Sequence, residues 1–175
     1  ANPAIRELET RMVDLVDVRD TFGESPEEAL RKLQDVVDPS LKQRAEALAY
    51  DKAIEEALRP LSYKPEEAIE NINALPQEVQ QAAQTKLQQK LADQAVDYAT
   101  FDPVKARGVL GYITDSGLQE KVSYIIDLNE QFDVVLDQAL YGNGEMDAFY
   151  DLQSAIYQAE RELDDMNQPQ ARFVL

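Results

Sequence analysis

The 175-residue chain contains no cysteine, no histidine and no tryptophan, and only six glycines. Without cysteine there is neither a disulfide nor a thiolate metal ligand, and thiol usage says nothing about the redox compartment. Without histidine the commonest general base and metal ligand is missing. Together the two absences exclude Ser-His and Cys-His nucleophilic systems and the usual zinc sites. Scarce glycine and the lack of alternating β-branched runs argue against sheet. No apolar run approaches the ~18 residues of a membrane span, and no basic leader precedes a hydrophobic segment. Positive charge is also short: 17 Lys and Arg stand against 34 Asp and Glu, a net charge of −17. That balance disfavours phosphate backbones and anionic membranes, and favours basic partners or serves solubility alone.

What is present is a repeat. The stretch Pro26-Glu27-Glu28-Ala29-Leu30-Arg31-Lys32-Leu33 returns as Pro65-Glu66-Glu67-Ala68-Ile69-Glu70-Asn71-Ile72, and more faintly as Pro103-Val104-Lys105-Ala106-Arg107-Gly108-Val109-Leu110, at intervals of 39 and 38 residues. A period in this range predicts stacked helical hairpins, each burying an apolar stripe that it cannot bury alone. Six of the eight prolines fall at helix starts, where the fixed φ is suitable and the missing N–H is not needed. Asn2-Pro3, Ser25-Pro26, Asp38-Pro39 and Asp102-Pro103 add a capping side chain, and Ser25 with Glu28 has capping-box spacing. Pro60 is expected to end a long helix and Pro169 to start a tail.

The pattern predicts helices over 3–22, 26–36, 39–59, 65–74, 77–99, 103–113, 117–141 and 145–166. Short and long helices alternate. Aligned, the short helices place Ala29, Ala68 and Ala106 in one column, Leu33, Ile72 and Leu110 in the next, then Val36, Leu75 and Ile113. The long helices align Leu41, Val79 and Leu118, then Ala45, Ala83 and Val122, then Ala49, Leu87 and Ile126, and finally Ala57, Ala95 and Val134. Spacing of i, i+4 and i+7 puts the short-helix residues on one helix face, and small residues recur where two helices approach closely. The last helix is expected to turn Met146, Phe149, Tyr150, Ile156, Tyr157 and Leu163 to one side. The expected fold is all-α, a right-handed-type α-solenoid of about three hairpins (26–62, 65–100 and 103–141) within one domain spanning 1–175. An N-terminal helix, a C-terminal helix and a tail (167–175) flank the hairpins.

The pattern Pro-x-x-Ala-x-x-x-Leu-x-x-Val, a short turn, then Leu-x-x-x-Ala-x-x-x-Ala resembles the degenerate helical hairpins of tetratricopeptide-like solenoids over roughly residues 26–141. The tetratricopeptide period is 34, and its aromatic and Gly-Tyr signature is not found here at the expected spacing. The resemblance implies a superhelical stack with a concave groove that receives peptides or partner helices. It transfers no residue-level function.

Tests for chemistry return little. Carboxylate catalysis needs two acids at fixed separation in a cleft, and the sequence singles out no pair among 34 acids. The chain is therefore expected to be no enzyme and to carry no cofactor or metal. Asp127-Leu128-Asn129-Glu130-Gln131-Phe132-Asp133 suggests a calcium loop but has Phe132 where glycine is required. Tyr141-Gly142-Asn143-Gly144 lacks the lysine and preceding strand of a phosphate loop and reads as a helix–helix turn.

Three features are candidates for binding. Tyr98, Phe101, Tyr112, Tyr124, Phe132 and Tyr141 gather in the second half, and tyrosines supply rigid contact area at interfaces. Gln77, Gln80, Gln81, Gln84, Gln88, Gln89 and Gln94 form an uncharged polar face, for solvent or for a partner. The tail around Phe173 is apolar at its tip. The expected partner-binding residues are Tyr98, Phe101, Tyr112, Tyr124, Tyr141 and Phe173. The expected role is a soluble, non-catalytic adaptor or scaffold that holds a basic or amphipathic segment of another protein, with no nucleic acid bound and no membrane insertion. Two alternatives stand beside it: a structural subunit or terminal domain of a larger assembly, and an acidic nucleic-acid mimic, since residues 143–166 hold seven acids and one base. The compartment is left open, cytoplasmic or, if Ala1 follows a removed signal peptide, periplasmic or secreted.

Overall fold

The computed structural model describes residues 38–142 and 146–167, with the isolated positions Pro3, Glu28, Arg31 and Gln34. Among these are six α-helices and one 3-10 turn, and no strand. They are α1 (Pro39–Leu58), the turn Arg59–Ser62, α2 (Pro65–Asn73), α3 (Gln77–Ala99), α4 (Pro103–Leu110), α5 (Ser116–Tyr141) and α6 (Met146–Asn167). The chain divides into two compact units, Ala1–Gln84 and Thr85–Leu175, the division falling within α3. The expected helices over 3–22 and 26–36, and the tail with Phe173, lie outside the described residues.

Helix starts follow the capping logic. The Asp38 carboxylate accepts hydrogen bonds from the N–H groups of Ser40 (3.0 Å) and Leu41 (3.1 Å). Asp102 accepts from the Lys105 N–H at 3.0 Å. Each cap satisfies donors that the first turn leaves unpaired, an effect of about 1 kcal/mol. Asp115 does the same for α5, accepting from the Leu118 N–H at 2.9 Å. Proline does not mark this start, and the helix begins one residue earlier than its pattern indicates. Pro60 ends α1 as expected, within the 3-10 turn.

Helix α4 stops at Leu110 rather than 113. Gly108 and Gly111 weaken the helix there, and Tyr112 and Ile113 instead donate tighter i→i−3 bonds to Val109 (3.0 Å) and Leu110 (3.1 Å). Ile113 is buried nonetheless.

Most of the aligned columns are interior. In the first unit Ala45, Ala49, Ala57, Ala68, Ile72, Val79 and Ala83 are buried; in the second, Leu87, Ala95, Ala106, Ile113, Leu118, Val122 and Ile126. Leu41, Leu75 and Leu110 are half-buried. One column fails at its last member: Val134 is 56% exposed. From residue 131 to 141, α5 carries no fully buried residue, so the position that is interior in Ala57 and Ala95 is at the surface here.

Helix α6 departs from expectation on its facing. Phe149, Ile156 and Leu163, seven residues apart, join Leu152 and Ala159 on the packed face, and the Phe149 ring lies 4.9 Å from that of Phe132 on α5. Met146, Tyr150 and Tyr157 are exposed instead. A rotation of about 100° per residue sets Tyr150 and Tyr157 a quarter-turn or so away from Phe149 and Ile156, and the packed face is narrower than the aromatic content suggests.

The glutamines of α3 are joints. Within the first unit, the Gln80 side-chain amide donates to the carbonyls of Ile72 (2.9 Å), Asn73 (3.1 Å) and Leu75 (2.7 Å), closing the end of α2. Gln84 donates to Asn73 Oδ1 at 2.8 Å. Within the second, buried Gln88 accepts from the N–H groups of Thr114 (2.8 Å) and Asp115 (3.1 Å), fixing the α4–α5 connection. Gln89 donates to the Asn167 carbonyl at 3.0 Å. Gln94 Oε1 and Asn167 Oδ1 are buried without a hydrogen-bond partner among the described residues, at a cost of about 1–3 kcal/mol each.

Candidate functional site

In the second unit, the C-terminal half of α3 and the end of α6 enclose an open groove. Asp93, Val96 and Asp97 contribute from α3, at spacings that share one helix face, and Thr100 from just beyond its end. Glu160, Leu163 and Asp164 contribute from α6, and Phe101 stands on the rim. The Asn167 side-chain amide donates to Asp93 at 3.4 Å, and Gln89 holds the Asn167 backbone, so the two segments run antiparallel with Asp93 near the end of α6. Val96 and Leu163 form an apolar floor under four carboxylates.

Those carboxylates repel one another. Burial pushes the Asp93 carboxyl above its ordinary range, and Asp164 and then Asp97 push it further, against the pull of Lys90 and Lys86. Glu160 is raised for the same reasons: burial first, then Asp164 and Asp97. A carboxyl whose folded pKa lies above its unfolded value binds more protons folded than unfolded between the two. Stability therefore rises as pH falls through that window, and falls as pH rises through it. Mild acidification, to just above the ordinary carboxylate range, is expected to raise the melting temperature. Asp93→Asn combined with Glu160→Gln should raise it at neutral pH and flatten the rise on acidification. Scanning calorimetry from pH 7 to pH 5 checks both, and a monotonic loss of stability in the wild-type chain would contradict them. Glu162 runs the other way: its hydrogen bond from Lys121, and then that from Gln158, hold it below the ordinary range, so its contribution is lost only in stronger acid.

Two ionic ties brace the unit around the groove. Arg107 on α4 donates from Nε to Glu130 Oε1 (3.0 Å) and from Nη2 to Glu130 Oε2 (2.8 Å), and reaches Asp127 Oδ1 at 2.7 Å. These hydrogen bonds raise the guanidinium pKa further above its already high value. Lys121 on α5 pairs with Glu162 on α6.

The structure brings one of the expected residues to the groove and sets a second beside it. Phe101 is 73% exposed on its rim. The half-buried Tyr98 packs edge-on against it, ring centroids 5.8 Å apart, with Lys105 Nζ 4.6 Å from the Tyr98 ring centroid. The other three expected tyrosines lie elsewhere. Tyr112 is half-buried just beyond α4. Tyr124 lines a separate shallow depression with Lys121, Asp127 and Met166, and Tyr141 is 88% exposed at the end of α5. Phe173 lies outside the described residues. Sequence reasoning missed the carboxylates, although Asp93 with Asp97 and Glu160 with Asp164 are each i, i+4 pairs on a helix; it also put Tyr150 and Tyr157 on the same side as Phe149, Ile156 and Leu163.

The arrangement offers negative potential over an apolar floor, suited to an ammonium or guanidinium group attached to an apolar stem. No group of three or more acidic side chains among the described residues converges closely enough to hold a metal ion. No helix among them is long and apolar enough to cross a membrane. Comparison with protein-family models, curated proteins and solved structures finds no match for the chain.

Proposed function

We propose that the chain is a non-catalytic interaction module of helical-repeat type, whose acidic groove receives a basic segment of another protein. The observation that carries this reading is the set Asp93, Asp97, Glu160 and Asp164 over Val96 and Leu163, with Phe101 exposed at the rim. Asp93 and Glu160 are destabilised there by burial and by the neighbouring Asp164 and Asp97, and an incoming cation relieves that repulsion. A single exposed ion pair contributes about 0–1 kcal/mol, so binding depends on several pairs forming together. The net charge of −17 adds long-range attraction that salt screens over about 8 Å at physiological ionic strength. The period of 38–39 residues and the tetratricopeptide-like pattern support the same role, because such hairpin arrays present surfaces to partner segments.

The test is a fluorescence-anisotropy titration with a labelled helical peptide carrying Arg at i, i+4 and i+7. Binding is expected at low salt and should weaken steadily with added NaCl. Asp97→Asn with Asp164→Asn should reduce affinity about tenfold, the loss of roughly 1.4 kcal/mol. An affinity that neither salt nor the double substitution changes would overturn the reading.

A further inference from the structure

Helix α6 carries two seams of heptad spacing. The first, Phe149, Leu152, Ile156, Ala159 and Leu163, is the packed one. The second is Met146, Tyr150, Gln153, Tyr157, Glu160 and Asp164, at successive steps of four and three residues. Such 3.5-residue spacing is what a packed helix reads in its neighbour. Along the C-terminal part of this seam the neighbour is α3, which forms the acidic groove with Glu160 and Asp164. Helix α3 ends at Ala99. Since Asp93 lies against Asn167 and the helices run antiparallel, that end falls near the turn holding Tyr157. From Tyr157 back to Met146 no helix among the described residues covers the flank, and Met146, Tyr150 and Tyr157 are 49, 56 and 63% exposed.

We infer that this second seam is a docking strip for an amphipathic helix of split character. Its basic end lies in the groove against Asp97, Glu160 and Asp164, and its apolar end covers Met146, Tyr150 and Tyr157. The inference rests on the groove reading above and adds the apolar half and the helical form of the partner. The strip from residue 146 to 164 is about 27 Å long at 1.5 Å per residue, the length of a partner helix of about 18 residues. Charge selects the occupant. Residues 143–166 hold seven acids and one base, so a second copy of this chain and an anionic lipid surface are both repelled, whereas a helix with a cationic end is attracted. Aromatic side chains exposed beside acids are the kind of anchor that dominates interface energetics.

Two 18-residue peptides and three forms of the full chain test this. One peptide has Arg in one half and Leu and Phe at heptad positions in the other; the second replaces the apolar half by Ser and Gln. The chains are the wild type, Tyr150→Ser with Tyr157→Ser, and Asp97→Asn with Asp164→Asn. Both tyrosines are exposed, so the fold is expected to hold, and circular dichroism checks that it does. The split peptide should bind the wild type about tenfold more tightly than the basic one, and the tyrosine variant should lose that advantage while holding the basic peptide within about twofold. The carboxylate variant should weaken both. If the split peptide binds no tighter than the basic one, or the tyrosine variant binds it as well as the wild type does, the strip is refuted while the groove stands. If neither peptide binds the wild type at low salt, the groove reading fails and the strip with it. A wild-type dimer in light scattering that the tyrosine variant dissociates would give the strip to a second copy. Sedimentation with phosphatidylcholine vesicles that depends on the two tyrosines would give it to lipid. Either result overturns the inference.

Discussion

Ile126→Ala is expected to cost about 2–5 kcal/mol, the range for emptying a fully packed aliphatic position. Ile126 is completely buried on α5, beside Ile125 and Val122, which are equally buried. For a chain of this length each kcal/mol shifts the melting temperature by about 2–4 °C. Val134→Ala, on the same helix but at an exposed position, should stay within about 0.5 kcal/mol. Denaturant unfolding of both variants measures the contrast. Equal losses at the two positions would mean that the interior of α5 is not where its burial pattern puts it.

The second large effect comes from overfilling. Ala106 on α4 is completely buried, in the column it shares with Ala68, and a larger side chain there must push two helices apart. Ala106→Leu should cost about 1–3 kcal/mol or more. Gly108, two residues on in the same helix, has open space where a Cβ would be placed. Gly108→Ala should therefore stabilise by about 0.5–1 kcal/mol through helix propensity alone. The opposite signs, read from thermal melts, separate packing from propensity within one short helix. A neutral Ala106→Leu would remove the argument that alanine recurs for close approach.

The helices were legible because their determinants are local. Proline at the first helical position, Asp38 and Asp102 as caps, and columns at i, i+4 and i+7 need only neighbouring residues. Asp115 escaped notice because no proline follows it, and the α4 end was misplaced because glycine acts by weakening a helix rather than ending it. Facing was harder. An aromatic-rich helix such as α6 satisfies the same periodicity whether a quarter-turn one way or the other, and only the position of its neighbour decides. The groove was less legible still: Asp93 and Asp97 meet Glu160 and Asp164 across more than sixty residues of chain, and no local spacing announces that meeting. Phe101 was named only as one of the aromatic set of the second half; its exposure follows from its place just past the end of a helix, before Asp102-Pro103, where a large apolar side chain has little of its own element to cover it.

The glutamine joints of α3 have a practical corollary. An amide carries no net charge, so Gln80 at the end of α2 and Gln88 at the α4–α5 connection hold in concentrated electrolyte as firmly as in dilute buffer. On the proposed reading, brine should release a cationic guest from the carboxylates while the joints that set helix against helix remain closed.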